Sequence, residues 1–185
     1  MKTKTLGLVA LLLAGSAGAS YVGYRVHRHF DMQGVRAITV AQGLVKPWSL
    51  AFLPDGRMLV TERPGRMRIV AANGSLSGPI QGLPPVRAAV EGGLLDVALD
   101  PAFKDNARLY WSYSEPSPDG KSASTAVASA QLQGNALQDV RVIFRQPEKL
   151  QDGSHYGSRL LFDREGHLLI TLGDRSKRLD AQDLA

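Results

Sequence analysis

A histidine in a turn-rich loop is the first candidate for chemistry in this sequence. His155 lies in the segment Q-D-G-S-H-Y-G at residues 151–157, directly before an apolar run. Imidazole titrates close to neutral pH, so a histidine in such a loop can take a proton from a hydroxyl group. A loop histidine can equally be an ordinary surface residue, and the residue types alone leave both interpretations open.

Glu91 precedes a pair of glycines in the motif E-G-G-L-L-D at residues 91–96. Paired glycines let the backbone approach another group closely, and the carboxylate beside them could bind a ligand. A tight turn leading into a strand explains the same pattern without any ligand. The spacing G-x-G-x-x-G is missing, so the motif is not a dinucleotide-binding fingerprint.

A third group follows the last apolar run of the chain and combines a carboxylate, several cations and an amide. Its members are Asp174, Arg175, Lys177, Arg178 and Gln182. Arginine binds carboxylates through paired hydrogen bonds, so the group could hold an anionic cofactor. The alternative is a turn capped by Asp174 with exposed cations around it. The H-E-x-x-H spacing does not occur, so we predict no zinc site.

Short strands joined by turns are expected to position these candidates. The segment F-D-R-E-G-H-L-L-I-T-L-G-D-R (162–175) repeats the earlier F-L-P-D-G-R-M-L-V-T-E-R (52–63), and a looser copy begins near residue 99. Strand–turn–strand repeats at ~40–60-residue intervals are typical of β-propeller blades. We therefore predict an all-β chain that forms roughly three blades of a β-propeller. Polar groups at the two open ends of the last hairpin are expected to face one space.

The polar segment 114–124 separates two of the predicted strands. We interpret it as a loop that connects one blade to the next. The chain has no cysteine, which excludes disulfides and thiolate metal sites. The net charge of +5 comes from Lys and Arg scattered among acids. Such scattering indicates a solvated surface and argues against a nucleic-acid partner.

The N-terminal residues are predicted to lie outside the folded domain. Residues 1–19 combine two lysines, an uncharged apolar run and the small-residue pattern A-G-A, which indicate a secretory signal peptide. An uncleaved membrane anchor reaching to about residue 24 is the alternative, because the uncharged stretch is just long enough to span a bilayer. Residues 20–37 are predicted to be a linker, and 38–185 the partial propeller. Both interpretations place the domain outside the cytoplasm.

Four motifs in this order resemble the glucose/sorbosone dehydrogenase family. They begin with P-W-S-L-A-F (47–70), E-G-G-L-L-D (91–103), H-Y-G-S-R (155–175) and A-Q-D-L (181–184). The resemblance implies a six-bladed β-propeller in the full-length protein. It also implies a soluble periplasmic enzyme that oxidises aldose sugars to lactones with pyrroloquinoline quinone (PQQ).

The resemblance also implies roles for single residues. His155, in the pattern H-x-G-x-R, is implied to be the general base that takes the proton of the anomeric hydroxyl while hydride passes to PQQ. Glu91 stands where the family often has a glutamine of the sugar pocket, and Gln182 aligns with a second pocket glutamine. Both are therefore implied to bind substrate. Arg159 is expected to brace the loop rather than touch the sugar.

The remaining parts of such an enzyme are expected elsewhere. In the family, most residues that hold PQQ, and the backbone carbonyls that bind Ca²⁺, lie further along the chain. We therefore expect this chain to be the N-terminal part of a longer protein and inactive alone, with PQQ and Ca²⁺ as cofactors. The electron acceptor stays unidentified. A non-catalytic extracytoplasmic propeller that binds carbohydrate or protein is the alternative, because propeller folds serve many functions.

Overall fold

The computed structural model describes residues 37–151 and 153–177. Within these ranges the chain forms nine β-strands and one helical turn, which confirms the predicted all-β class. The described residues from Ile38 onwards belong to one compact unit. None of the described helical residues forms a segment long and apolar enough to cross a membrane. The predicted signal peptide or anchor, residues 20–36 of the linker, and Gln182 lie outside the described residues.

The strands form three antiparallel sheets in chain order. The first sheet contains β1 (Pro47–Phe52), β2 (Met58–Glu62) and β3 (Arg66–Val70). The second contains β4 (Leu94–Leu99), β5 (Arg108–Pro116), β6 (Ala123–Gln133) and β7 (Ala136–Arg145), with α1 (Phe103–Asn106) between β4 and β5. The third contains β8 (Gly157–Phe162) and β9 (Leu168–Leu172).

Each sheet begins with one copy of the sequence repeat. The hairpins β1–β2, β4–β5 and β8–β9 are the three copies, and α1 accounts for the longer second loop. Gly56 and Gly166 occupy matching turn positions with φ of +85° and +87°, a conformation that favours glycine. The first strands of neighbouring sheets lie against each other, β1 beside β4 and β4 beside β8. This arrangement is a partial β-propeller, and it confirms the predicted fold.

The interpretation of residues 114–124 as a connection between blades is wrong. β5 continues to Pro116 and β6 begins at Ala123, so the segment is a hairpin within the second sheet. Its polar composition misleads because Ser114 and Ser124 are strand residues with no exposed surface. Ser114 Oγ, for example, donates a hydrogen bond to the Arg87 carbonyl at 2.6 Å. A buried hydroxyl with such a partner does not interrupt a strand.

The main hydrophobic core lies between the first and second sheets. Leu59 and Met67 from the first sheet and Leu94, Trp111 and Tyr113 from the second are almost fully buried in it. Burying each large side chain of this kind contributes roughly 1.5–3 kcal/mol relative to leaving it exposed. The two sheets therefore form a rigid support against which the third sheet is placed.

A buried carboxylate joins all three sheets. Asp96 on β4 is 1% exposed. Its Oδ1 accepts hydrogen bonds from Ser49 Oγ on β1 at 2.5 Å and from Arg159 Nη1 on β8 at 2.9 Å, while Oδ2 accepts the Leu160 N–H at 2.7 Å. The Arg159 guanidinium also lies 5.5 Å above the ring of Trp48 on β1. Arg159 thus ties β8 to both neighbouring sheets.

Replacing Asp96 by alanine is expected to lower the free energy of unfolding by about 3 kcal/mol. The substitution leaves the buried Leu160 N–H and the Ser49 hydroxyl without their acceptor and removes the partner of Arg159. Urea denaturation followed by circular dichroism measures the change. The exposed Asp105 on α1 gives the matched control, and Asp105→Ala is expected to cost less than about 0.5 kcal/mol. Equal effects of the two substitutions would contradict the role given to Asp96.

Candidate active site

The backbone around His155 adopts an uncommon conformation. His155 has φ of +51°, and Gly157 and Ser158 follow with +66° and +77°. Left-handed conformations cost a non-glycine residue of order 1–3 kcal/mol and persist only where the surrounding structure holds them. The register between β8 and β9 also shifts between Gly157 and Leu160, which marks a bulge. The loop that carries His155 is therefore fixed by its neighbours.

His155 forms a pair with Asp174 across the open end of the β8–β9 hairpin. Nδ1 of the imidazole lies 2.7 Å from Asp174 Oδ1. Since an ionised carboxylate only accepts hydrogen bonds, Nδ1 carries the hydrogen in this contact, and Nε2 of the neutral ring is then an acceptor. The His155 side chain is 52% exposed and the Asp174 side chain 19%. The imidazole is thus oriented by the protein and still accessible.

The hydrogen bond from His155 holds the pKa of Asp174 below its usual value. Desolvation opposes this shift, and the Ser176 N–H adds to it through a 3.0 Å bond to Oδ1. Asp174 is consequently ionised throughout the neutral range. The same residue therefore caps a turn, as one of the sequence interpretations predicted, and orients the imidazole. The exposed cations expected around that turn are not all observed, because Arg175 is buried.

Glu91 lies at the other side of the His155 loop. Its Oε2 accepts the His155 N–H at 2.7 Å, and its own N–H donates to the Gly153 carbonyl at 2.9 Å. The glycine that follows is surrounded by protein, since a Cβ added to Gly92 would lie 2.9 Å from both the Arg87 carbonyl and Ser114 Oγ. The close approach that the paired glycines allow is thus an approach to the protein's own chain. Glu91 itself is exposed.

The cations beside Asp174 are engaged by protein groups. Arg175 is 3% exposed and donates to the carbonyls of His155 and Gly173, with its guanidinium 4.2 Å above the Tyr156 ring. Lys177 Nζ donates to Glu148 Oε2 at 2.6 Å. These contacts do not provide a cluster of accessible cations for a tricarboxylate such as PQQ. Arg178 and Gln182 lie outside the described residues.

A shallow pocket of about 350 Å³ adjoins Asp174. Gln146, Glu148, Gly173 and Lys177 are among the residues that line it. This volume lies at the small end of the range for ligand sites, about 300–1,000 Å³. The pocket is open rather than enclosed, and it reaches Asp174, the partner of the imidazole, while His155 itself does not line it.

One partly exposed group of possible metal ligands occurs among the described residues, at the turn of the β8–β9 hairpin. It consists of Asp163, Glu165 and His167, whose ligand atoms lie within 4.8 Å of one another. Asp163 Oδ1 already accepts the N–H groups of Glu165 and His167 at 2.9 and 2.8 Å, which are ordinary turn contacts. The turn lies at the opposite end of β8 from His155. Among the described residues, no contact joins this group to His155.

Comparisons with known proteins give a consistent result. The family model for glucose/sorbosone dehydrogenase matches residues 44–185. The aldose sugar dehydrogenase YliI of Escherichia coli is 48% identical over 141 residues. The crystal structure of the soluble aldose sugar dehydrogenase from Escherichia coli in the apo-form is 46% identical with a TM-score of 0.74. The PQQ-bound aldose sugar dehydrogenase from Streptomyces coelicolor is 28% identical with a TM-score of 0.65.

These matches cover most of this chain and less than half of each relative. The alignment with YliI includes 75% of this chain and 38% of the relative. The two solved structures align with 78% and 79% of this chain and with 42% and 43% of their own chains. The match of the family model over residues 44–185 includes the loops of both Glu91 and His155. The chain therefore belongs to the glucose/sorbosone dehydrogenase family.

Proposed function

We propose that this chain belongs to an enzyme that oxidises aldose sugars to lactones with PQQ, and that His155 is its general base. The observation that carries the proposal is the 2.7 Å contact between His155 Nδ1 and Asp174 Oδ1, which orients an accessible imidazole. Two named relatives support the reaction class, since one is called an aldose sugar dehydrogenase and another was solved with PQQ bound.

The described residues are suited to move one proton. Asp174 holds the hydrogen of Nδ1 and stabilises the positive charge that forms on the ring, while Nε2 accepts the proton of the anomeric hydroxyl. PQQ, held by residues outside the described ones, would supply the acceptor for the hydride of the anomeric carbon. Loss of that proton and hydride converts the sugar to its lactone. The described residues alone do not fit PQQ, so we assign no cofactor-binding residue among them.

Glu91 and Gln182 complete the proposed sugar contacts. One oxygen of Glu91 is occupied by the His155 N–H, which leaves Oε1 to accept a hydroxyl of the substrate. An ionised carboxylate cannot donate to the sugar, so this position favours substrate hydroxyls that act as donors. We further propose a periplasmic location, reached through the N-terminal signal or anchor, Ca²⁺ as a second cofactor, and an electron acceptor of unidentified nature.

The reaction class is tested by dye reduction. The test uses a full-length protein that includes this chain and is as long as its relatives. Supplied with PQQ, Ca²⁺ and glucose, it is expected to reduce an artificial electron acceptor. The 185-residue chain alone spans 38% of the curated relative and is expected to give no reduction under the same conditions. A full-length protein that reduces no dye with any aldose would instead favour a propeller that only binds carbohydrate or protein.

Replacing His155 by alanine in that full-length protein is expected to lower kcat by about 10²–10⁴-fold, because general-base catalysis is lost. His167 supplies the matched control, since it is also an exposed histidine paired with an aspartate, Asp163 at 2.9 Å. His167→Ala is expected to keep the parental kcat. Steady-state kinetics with saturating PQQ compare the two. Retention of the full rate in His155→Ala would overturn the assignment of the base.

Replacing Asp174 by asparagine is expected to lower kcat by about tenfold or more, because the amide does not stabilise the imidazolium or fix the ring nitrogen that carries the hydrogen. The pH dependence has a defined sign. Because the pKa of folded Asp174 is lowered, its stabilising contact is complete above about pH 4 and is lost as pH falls through the folded-state pKa. The difference in unfolding free energy between parent and Asp174→Asn should therefore shrink as pH falls through that acid range.

A further inference from the structure

Side chains of the second sheet hold the backbone on which His155 is carried. Tyr156, Ser158 and Leu160 each form a backbone hydrogen bond with one buried polar side chain. The contacts are Thr125 Oγ1 to the Tyr156 carbonyl at 2.9 Å, Ser112 Oγ to the Ser158 carbonyl at 2.7 Å, and Asp96 Oδ2 to the Leu160 N–H at 2.7 Å. These three side chains belong to three different strands, β6, β5 and β4.

These hydrogen bonds are made away from water and in a fixed direction. Thr125 and Ser112 have no exposed surface. Ser112 Oγ also accepts the Asp96 N–H at 2.9 Å, so its own hydrogen is directed at the Ser158 carbonyl. A buried hydroxyl that is satisfied on both sides specifies one arrangement of its partners more sharply than an exposed one does. The two hydroxyls therefore define where the carbonyls of Tyr156 and Ser158 can lie.

The backbone held in this way is the part with uncommon torsion angles. His155, Gly157 and Ser158 all have positive φ, and the β8 bulge lies between Gly157 and Leu160. Bulges change the direction in which nearby side chains point, and strained torsions need external contacts to persist. A carbonyl fixed directly after His155 and another fixed two residues later restrict how the loop can relax. Relaxation of the loop would move the imidazole away from Asp174.

We propose that Thr125 and Ser112 are positioning residues for the reaction and set the place of the His155 ring through the backbone of β8. The proposal rests on the proposed function, in which His155 is the base. Both hydroxyls belong to residues with no exposed surface, so neither is available for contact with a substrate. Their effect is on the fraction of molecules in which Nε2 is correctly aimed, and misplacement of a reacting group by about 1 Å can cost on the order of 10²-fold in rate.

The chain offers matched pairs of substitutions. Thr125→Val keeps the shape and removes the donor, whereas Thr125→Ser keeps the donor. Ser112→Ala removes the second hydroxyl. Ser124→Ala removes a neighbouring hydroxyl on β6 that has no exposed surface and no hydrogen-bond partner among the described residues. Thr61→Val removes a buried hydroxyl that donates to the Leu95 carbonyl at 2.6 Å and accepts the Ser49 N–H at 3.1 Å. These contacts lie within the first sheet and between the first and second sheets, and none of them is with the His155 loop.

The first experiment measures sugar oxidation by the full-length protein. Thr125→Val and Ser112→Ala are expected to lower kcat by about tenfold with little change in KM for the sugar, while Thr125→Ser, Ser124→Ala and Thr61→Val stay near the parental rate. In a His155→Ala background, Thr125→Val is expected to cause no additional loss, because residues that act through one group are not additive. Parental kcat in both Thr125→Val and Ser112→Ala, or equal loss in Thr61→Val, would overturn the proposal.

The second experiment needs no activity and separates this proposal from the function on which it rests. Hydrogen–deuterium exchange with mass spectrometry follows the peptide that covers residues 153–162 in the same variants without cofactor. Thr125→Val and Ser112→Ala are expected to speed exchange in this peptide relative to parent and Ser124→Ala. Unchanged exchange would overturn the positioning role. Faster exchange in a protein that oxidises no sugar, or whose His155→Ala variant keeps its rate, would reject the proposed function and keep the structural coupling.

Discussion

The requirement that the buried charge of Asp96 be satisfied fixes the arrangement of the sheets. An ionised carboxylate removed from water is costly unless hydrogen bonds replace its hydration. Asp96 obtains these bonds from Ser49 on β1 and from Arg159 and Leu160 on β8, so the first strands of all three sheets have to meet around it. The apolar core holds the first two sheets together, and the hydrogen bonds of this carboxylate attach the third sheet to them. The position of the His155 loop depends on that contact together with the hydrogen bonds from Thr125 and Ser112.

A loop fixed in this way can carry strain that an isolated hairpin would release. His155 and Ser158 hold positive φ values that side chains with a Cβ rarely adopt. Glu91 accepts a hydrogen bond from the His155 N–H, and Arg175 donates one to the carbonyl of the same residue. Both backbone polar groups of the histidine are therefore occupied by charged side chains. The remaining freedom of His155 is rotation of its side chain, and the hydrogen bond to Asp174 restricts that rotation.

Sequence reasoning could predict the hairpins because their determinants are local. The turn glycines Gly56 and Gly166 and the apolar strands around them repeat at the same spacing, and each copy became the first hairpin of a sheet. The segment 114–124 could not be interpreted correctly, because burial of Ser114 and Ser124 depends on neighbours distant in sequence. The pairing of Asp174 with His155 depends on tertiary structure in the same way. The sequence predicts only that polar groups at the two ends of the hairpin face one space, and not which of them form a hydrogen bond.

The distribution of charge around His155 argues for a division of tasks within the protein. Asp174 accepts a hydrogen bond from the imidazole, and Glu91 accepts one from the backbone N–H of the same residue. Arg175, the buried cation nearby, is directed at the carbonyls of His155 and Gly173 and so supports the loop rather than an anionic ligand. A quinone with three carboxylates requires positively charged side chains that are accessible to it. The described residues therefore suit the proposed proton transfer, and the proposed cofactor would have to be held by residues outside them.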